Sequence, residues 1–217
     1  MQLKEVEIDG NKWLLSSNRV LFWEQQNALL LADAHLGKTG HFRKEGIGIP
    51  QDVYQKDLHR LFDSIQFFQA KHVWIIGDLF HSHGNKELDL FLRWRNDFSG
   101  TEFHLVKGNH DILPKQWYED ANIQVHNKEV VIGNIELTHD PKDYVNPEKY
   151  SLSGHVHPGV LIKGLGRQKL RFPCFYFGQK QGLLPAFGEF TGLFTIETGI
   201  DDKCFAIVNH ELIPISC

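Results

Sequence analysis

The feature that most constrains the fold is a series of short apolar runs, each of strand length and each ended by a polar residue or a glycine. The runs are NALLLAD (27–33), HVWIIGD (72–78), EFHLV (102–106), IELTH (135–139) and YSLSGH (150–155). Short apolar runs bounded in this way are typical of buried β-strands. Between the first three runs, apolar residues recur at helical spacing from Tyr54 to Phe68 and again in ELDLFLRWRNDF (87–98).

This order of strand, helix, strand, helix and strand predicts a mixed or parallel sheet covered by helices. Ligands of such sheets bind outside the carboxyl ends of the strands. After residue 122 the helical periodicity stops, and the remaining apolar runs are separated by Gly, Pro and Asn turns. We therefore expect an α/β chain, a single domain over residues 1–217, in which a second, mostly antiparallel sheet packs face to face on the first.

Composition limits the classes of protein to which this chain can belong. The 217 residues, 41% of them hydrophobic, suffice for one full core, and the net charge of −4 argues against a strongly basic nucleic-acid binder. No apolar run reaches the ~18 residues of a membrane span, and the N-terminus lacks the apolar stretch of a signal peptide, so we expect a cytoplasmic protein without a membrane partner. Cys174, Cys204 and Cys217 suggest neither a disulfide framework nor a metal site and are expected to be reduced packing residues.

The polar residues at the strand ends are candidates for one shared site. In chain order they are Asp33 with His35, Asp78, Asn109 with His110, His139, and His155 with His157. Carboxylate, imidazole and amide oxygen are ligands for divalent metals such as Mn²⁺, Fe²⁺ or Zn²⁺. In DAH (33–35) and HVH (155–157), side chains at i and i+2 on extended backbone point the same way, so each pair is expected to bind one metal.

Leaving His110 aside, these seven ligands exceed what one ion with open positions needs. We therefore expect two metals that share a carboxylate, with Asp78 as the bridge. Two ions roughly 3.5 to 4 Å apart hold a hydroxide between them at neutral pH and clamp both oxygens of an in-line phosphoryl displacement. The predicted chemistry is hydrolysis of a phosphate ester.

The remaining histidines are not expected to bind metal, because none lies beside another ligand type at the C-terminal end of a strand. They are His41, His59, His72, His104, His126 and His210. For His81 and His83 two interpretations stay open, orientation of a metal ligand and a solvated loop.

Five sequence blocks occur in order: D-x-H at 33–35, G-D at 77–78, G-N-H-D at 108–111, a single His at 139 and G-H-x-H at 154–157. Together they resemble the full signature of the calcineurin-like metallophosphoesterases. The resemblance implies a four-layer α/β/β/α sandwich of two mixed sheets flanked by helices, and two divalent ions, with Mn²⁺ expected and Fe²⁺ or Zn²⁺ as alternatives.

The same resemblance implies a role for each matching residue. Asp33, His35 and His157 would hold one metal, Asn109, His139 and His155 the other, and Asp78 would bridge. His110 would be the catalytic acid that protonates the leaving oxygen, and Asp111 would orient it and keep it protonated.

Residues 32–50 (ADAHLGKTGHFRKEGIGIP) and 184–192 (LPAFGEFTG) resemble one bacterial branch, the ICC-like phosphoesterases called ligase-associated DNA damage response endonucleases (PdeM). This resemblance implies a DNA-repair setting and functional association with a DNA ligase and a helicase, more firmly than it implies a substrate. Lys38 and Arg43 follow the first block and are expected to reach substrate phosphate. A second basic stretch contains Lys163, Arg167, Lys169 and Arg171. Solvated charged loops are the alternative for both stretches.

Three functions follow from these features. The first is a metal-dependent nuclease or phosphodiesterase acting on nucleic acid. The second is the same chemistry on a small nucleotide or other phosphoester, which the acidic net charge and the lack of an accessory DNA-binding domain favour. The third, a non-enzymatic interaction scaffold, is disfavoured by the complete ligand set. No feature of the sequence predicts an oligomeric state.

Overall fold

The computed structural model describes residues 1–37, 52–80, 86–164, 169–189 and 191–215. In this part of the chain, sixteen strands form two β-sheets. Three α-helices of the same ranges cover one face of the first sheet. None of the helices in these ranges is long and apolar enough to cross a lipid bilayer.

The first sheet has seven strands in the order β1-β2-β3-β4-β5-β6-β7. They are β1 (Leu3–Ile8), β2 (Asn11–Ser16), β3 (Val20–Trp23), β4 (Ala28–Ala32), β5 (His72–Ile76), β6 (Glu102–Val106) and β7 (Ile123–His126). Strands β1 to β4 pair antiparallel, and β4 to β7 pair parallel. The predicted mixed or parallel sheet is confirmed as a mixed one. Its parallel part extends one strand further than expected, because β7 lies beyond residue 122 and still pairs with β6.

The helices are amphipathic, and their apolar sides pack on this sheet. They are α1 (Asp52–Phe68), α2 (Lys86–Asn96) and α3 (Lys115–Asp120). Alternation along β5 decides which side chains they meet: Val73 and Ile75 pack among the helices, whereas Trp74 and Ile76 pack toward the second sheet.

The second sheet has nine strands: seven follow the order β14-β11-β12-β13-β10-β9-β8, β15 pairs with β12, and β16 pairs with β15. They are β8 (Val130–Ile132), β9 (Ile135–Thr138), β10 (Tyr150–Ser153), β11 (Pro158–Lys163), β12 (Lys169–Phe177), β13 (Gln181–Leu183), β14 (Phe194–Thr195), β15 (Lys203–Val208) and β16 (Glu211–Ile215). Strand β10 pairs parallel with β9 and β13, and β11 pairs parallel with β14, while the other pairs are antiparallel. The sheet is therefore mixed and mostly antiparallel, as expected.

One core lies between the first sheet and the helices, and a second lies between the two sheets, where Trp13 and Trp23 stack with ring centroids 4.7 Å apart. The far face of the second sheet carries a small cluster around Cys174 and Cys204, which are free thiols and buried, as expected. The α/β class with two mixed sheets is confirmed. The helices expected on the outer face of the second sheet are not found among the described residues, whose three α-helices all pack on the first sheet.

Candidate metal centre

Neighbouring parallel strands of the first sheet bring the first ligand blocks to one edge. Asp33 directly follows β4, and Asp78 follows β5 after a single glycine. Backbone hydrogen bonds continue past the strand ends: the Asp33 N–H donates to the Gly77 carbonyl (3.1 Å), and the His35 N–H donates to the Asp78 carbonyl (2.9 Å). The two loops therefore hold these side chains at fixed positions beside each other.

Two strands of the second sheet bring the remaining histidines to the same edge. His139 follows β9, and His155 and His157 follow β10. The Gly154 N–H donates to the His139 carbonyl at 3.1 Å, which joins these two loops. The His155 N–H donates to Asp33 Oδ2 at 2.8 Å, so one ligand block of the second sheet is bonded directly to a ligand of the first.

The potential ligand atoms form two groups, each with its atoms within 4.8 Å of one another. The Asp33 cluster contains Asp33, His35 and His157, and the Asp78 cluster contains Asp78, His139 and His155. In the first cluster His157 Nε2 lies 3.5 Å from Asp33 Oδ1 and 3.3 Å from His35 Nε2. In the second, His139 Nε2 lies 3.5 Å from Asp78 Oδ2 and 3.2 Å from His155 Nδ1.

Asp78 belongs to one cluster and also lies close to a histidine of the other. Its Oδ2 atom is 3.5 Å from His139 Nε2 and 3.8 Å from His35 Nε2, so it approaches one histidine of each cluster. A tetrahedral ion with bonds of about 2.0 to 2.1 Å separates its ligand atoms by about 3.3 Å, which is the spacing found within both clusters. The arrangement suits two ions with Asp78 in reach of both.

The hydrogen bonds of the two clusters fit metal binding. Asp33 is fully buried, and its Oδ1 atom has no hydrogen-bond donor, which is costly for a carboxylate unless a cation lies beside it. His139 Nδ1 contacts the Ile76 carbonyl at 3.2 Å, and His157 Nδ1 contacts the Gly192 carbonyl at 3.2 Å. Because Nδ1 donates in each case, Nε2 keeps its lone pair for a metal ion.

The backbone of the ligand residues is not extended, which corrects the expectation for DAH and HVH. Asp33, His35, Asp78, His155 and His157 all lie in the left-handed region, with φ between 44° and 64°. Such conformations are uncommon for residues other than glycine and tend to occur at functional sites. Asp33 and His35 do share a cluster, but His155 and His157 belong to different ones.

The GNHD block lies against the Asp78 loop. The His110 N–H donates to Asp78 Oδ1 at 2.8 Å, and the His110 ring lies 5.4 Å from the His35 ring, centroid to centroid. His110 and Asn109 are both exposed, so they lie on the open side of the centre. Their assignments as catalytic acid and as metal ligand stay predictions.

Asp111 has a structural role that the sequence did not suggest. Its buried carboxylate accepts hydrogen bonds from the backbone N–H groups of Asp78 (2.8 Å), Leu79 (2.9 Å) and Gly108 (2.8 Å). It therefore binds the loop after β5 to the loop after β6. Burial raises the pKa of Asp111, and the backbone donors act in the opposite direction.

Asp140 is a residue of the site that sequence reasoning missed. Its Oδ2 lies 3.7 Å from His155 Nε2, while its Oδ1 accepts the Lys142 N–H at 2.9 Å. This places a carboxylate behind the His155 ring, on the side opposite the Nδ1 atom that approaches His139. Its position directly after His139 was the available signal. The predicted phosphate contacts Lys38 and Arg43, together with His81, His83 and Arg167, lie outside the described residues.

The structure resembles a solved nuclease. The crystal structure of Pseudomonas putida nuclease MPE matches 99% of this chain and 100% of that chain, with 27% sequence identity and a TM-score of 0.85. The chain has the phosphoesterase fold. No protein-family model matches the sequence, and a comparison with curated proteins gives no significant match.

Two further solved structures are more distant. A protein of unknown function from Aquifex aeolicus has 18% identity over 60% of this chain and 78% of that chain, with a TM-score of 0.45. The phosphoesterase Yfce from E. coli has 14% identity over 87% of this chain and 98% of that chain, also with a TM-score of 0.45. At this distance neither supports an argument about function.

Proposed function

We propose that this chain is a metal-dependent phosphoesterase that binds two divalent ions, Mn²⁺ in the first place, and hydrolyses phosphodiester bonds in DNA. The observation that carries the proposal is the meeting of the Asp33 and Asp78 clusters at one edge, with Asp78 Oδ2 within 4 Å of a histidine from each. Similarity to a nuclease over the full chain supports the same class of reaction.

In this proposal Asp33, His35 and His157 would hold one ion, His139, His155 and Asn109 would hold the other, and Asp78 would contribute to both. When bound, the ions would supply a water nucleophile at neutral pH and positive charge for the phosphoryl oxygens. The buried carboxylates and the Nδ1 contacts to backbone carbonyls hold these ligands in place. His110, on the exposed side and anchored through its N–H to Asp78, would donate a proton to the leaving oxygen.

Basic residues near the centre favour nucleic acid over a small phosphoester. A cavity of about 460 Å³ beside His139 is lined by Lys107, Lys128 and Lys142, and also by the acidic Glu129 and Asp143. Lysines next to the metal ligands suit the phosphates that flank the bond to be cleaved.

The β11–β12 hairpin supplies a second basic surface. It begins directly after His157, and Lys163, Lys169 and Arg171 are exposed along it. Phe194, whose N–H donates to the His157 carbonyl at 3.0 Å, is 66% exposed and offers a ring for base stacking. A repair setting beside a DNA ligase and a helicase remains part of the proposal and rests on the branch resemblance of residues 32–50 and 184–192.

The first experiment compares hydrolysis of bis-p-nitrophenyl phosphate with that of p-nitrophenyl phosphate. Metal-stripped protein receives Mn²⁺, and Asp78→Ala is the control. Cleavage of the diester that requires both Mn²⁺ and Asp78 supports the proposal. A fully metal-loaded protein that cleaves neither ester contradicts it and favours a scaffold.

Salt-dependent binding of oligonucleotides tests the substrate class. Lys163→Gln combined with Lys169→Gln should reduce the magnitude of the negative slope of log affinity against log salt by about 0.7 to 0.9 for each phosphate that a lysine no longer neutralises. Lys4→Gln with Lys12→Gln, two exposed lysines on β1 and β2, is the matched control and should leave the slope unchanged. No detectable affinity at low salt would favour the small phosphoester as substrate.

A further inference from the structure

A second group of potential ligands lies at the opposite end of the parallel strands. His72 is the first residue of β5, and Glu102 is the first residue of β6, directly opposite it in the parallel register. His104 lies two residues further along β6, on the same face as Glu102. Asp78 lies six positions after His72 along the chain, so this group lies roughly 20 Å from the proposed catalytic centre.

The distances within this group suit a single metal ion. Glu102 Oε2 lies 3.3 Å from His72 Nδ1 and 3.7 Å from His104 Nε2, and all three ligand atoms lie within 4.8 Å of one another. A tetrahedral zinc site with bonds of about 2.0 to 2.1 Å separates neighbouring ligand atoms by about 3.3 Å. Only small side-chain movements are needed to reach that geometry.

An unsatisfied buried nitrogen atom of His104 indicates that this group binds a ligand. The residue is 7% exposed, and its Nε2 atom is buried without a hydrogen-bond partner. On its other side, His104 Nδ1 lies 3.4 Å from His126 Nε2, and Trp74 stacks on the ring at 4.1 Å with an interplanar angle of 10°. The ring is thus held in position with one unsatisfied nitrogen directed at the Glu102 carboxylate.

The contact with His126 shows why a cation fits there. If His104 Nδ1 donates to His126, then Nε2 presents a lone pair to the Glu102 carboxylate, and two acceptors face each other. In the other tautomer, the Nε2 proton lies too far from Glu102 for a good hydrogen bond. A metal ion between the two atoms satisfies both.

We propose that His72, Glu102 and His104 form a third metal site, separate from the catalytic centre, that binds Zn²⁺. Two imidazoles and one carboxylate are a zinc donor set, and water completes the coordination because His72 and Glu102 are partly exposed. Bound there, the ion joins the starts of β5 and β6, whose other ends carry the proposed catalytic ligands.

The test is the number of zinc ions bound by the full chain. Metal-stripped protein is titrated with Zn²⁺, freed of excess by gel filtration and analysed for metal and protein. Glu102→Gln and His72→Gln should each lower the zinc content by one ion per chain. Glu5→Gln, an exposed carboxylate on β1, is the matched control and should leave it unchanged. Both tested residues are partly exposed, and circular dichroism verifies folding.

Trp74 provides an independent optical readout. Co²⁺ bound next to His104 should quench the fluorescence of Trp74, and Glu102→Gln or Trp74→Phe should remove that component. Equal zinc content in wild type, Glu102→Gln and His72→Gln overturns the third site. Because zinc is counted without reference to hydrolysis, an inactive chain that still loses one ion in Glu102→Gln supports this site while contradicting the proposed function.

Discussion

At the scale of single residues, the metal centre depends on buried acceptors that hold main-chain donors. Asp111 binds three N–H groups from two loops, and Asp33 Oδ2 accepts the N–H of His155 from the other sheet. Each bond fixes a loop that carries a proposed ligand. Small displacements of these loops therefore move the ligand atoms and affect metal binding, although the hydrogen-bonding groups themselves do not all bind metal.

Replacing His110 by Ala should leave metal content unchanged and lower turnover of the diester by about 10²- to 10⁴-fold, the usual contribution of a general acid. Turnover and bound Mn²⁺ are measured on the same sample. His59→Ala, an exposed histidine on α1, is the control. If His110→Ala lost its metals, its assignment as the acid would be wrong.

Gly108 makes room for Asp78. A Cβ atom at this position would lie 2.5 Å from the Asp78 backbone nitrogen and would also overlap Asp78 Oδ1. Gly108→Ala should therefore displace the Asp78 carboxylate and weaken Mn²⁺ binding by at least about 10-fold, in the usual range for supporting residues of metal sites. Calorimetric titration measures the affinity. Gly100→Ala, where a Cβ meets nothing within 4 Å, should bind Mn²⁺ as wild type does.

At the scale of elements, helix α1 holds the segment that follows β13. Arg60 donates to Asp57 Oδ1 at 2.7 Å and to the Phe187 carbonyl, and its guanidinium lies 4.4 Å from the centre of the Phe187 ring. Asp57 Oδ2 accepts the Glu189 N–H at 3.4 Å. The Gly188 N–H in turn donates to the Asp33 carbonyl, so this helix supports a metal ligand from behind.

Stability should depend on the ionisation of Asp57. Burial raises the pKa of Asp57 to about 6 from 3.8, although Arg60 acts in the opposite direction. Because the pKa of Asp57 is higher in the folded chain than in the unfolded chain, the protonated carboxyl stabilises the fold relative to the ionised one. This stabilisation is full below pH 3.8 and is lost as the pH rises through 6, by about 1.4 kcal/mol per unit of pKa shift.

Urea unfolding of wild type and Asp57→Asn at about pH 4.5 and about pH 7 isolates this residue. The free energy of unfolding of wild type, relative to the variant, should be lower at the higher of these two pH values. A relative stability that rises instead would mean that the ion pair with Arg60 outweighs burial.

At the scale of the whole molecule, the proposed metals lie where the two sheets meet. Ligands of both clusters come from both sheets: Asp33 and His35 with His157, and Asp78 with His139 and His155. Binding of metal should therefore stabilise the packing of one sheet on the other as well as the loops.

Chelation should lower the melting temperature, and Mn²⁺ should restore it. Ions at about 100 times their dissociation constant add about 2.7 kcal/mol to the free energy of unfolding for one site. Differential scanning calorimetry with and without chelator measures the shift. Asp78→Ala should show little response to Mn²⁺, and an equal response in both proteins would mean that the stabilising ions bind elsewhere.

The pattern of apolar and polar residues along the chain predicted much of the fold and of the site. Runs of strand length that end in Asp, His or Asn predicted the parallel sheet and the edge that gathers them, because neighbouring parallel strands end on the same side. The same reasoning missed the strands β1 to β3, although Asp9 and Gly10, both with positive φ, form a hairpin turn with a recognisable signature.

Spacing along the chain did not group these residues correctly, and the grouping found in the folded chain is the one that the family resemblance implied. The left-handed backbone at the ligands separates His155 from His157. The roles of Asp111 and Asp140 depend on their contacts with other loops. His72, Glu102 and His104 looked ordinary in the sequence, because a ligand group on two strands is formed by register across the sheet. Spacing along a chain reports the neighbours on one element, whereas a site depends on distances between elements that only the packed fold sets.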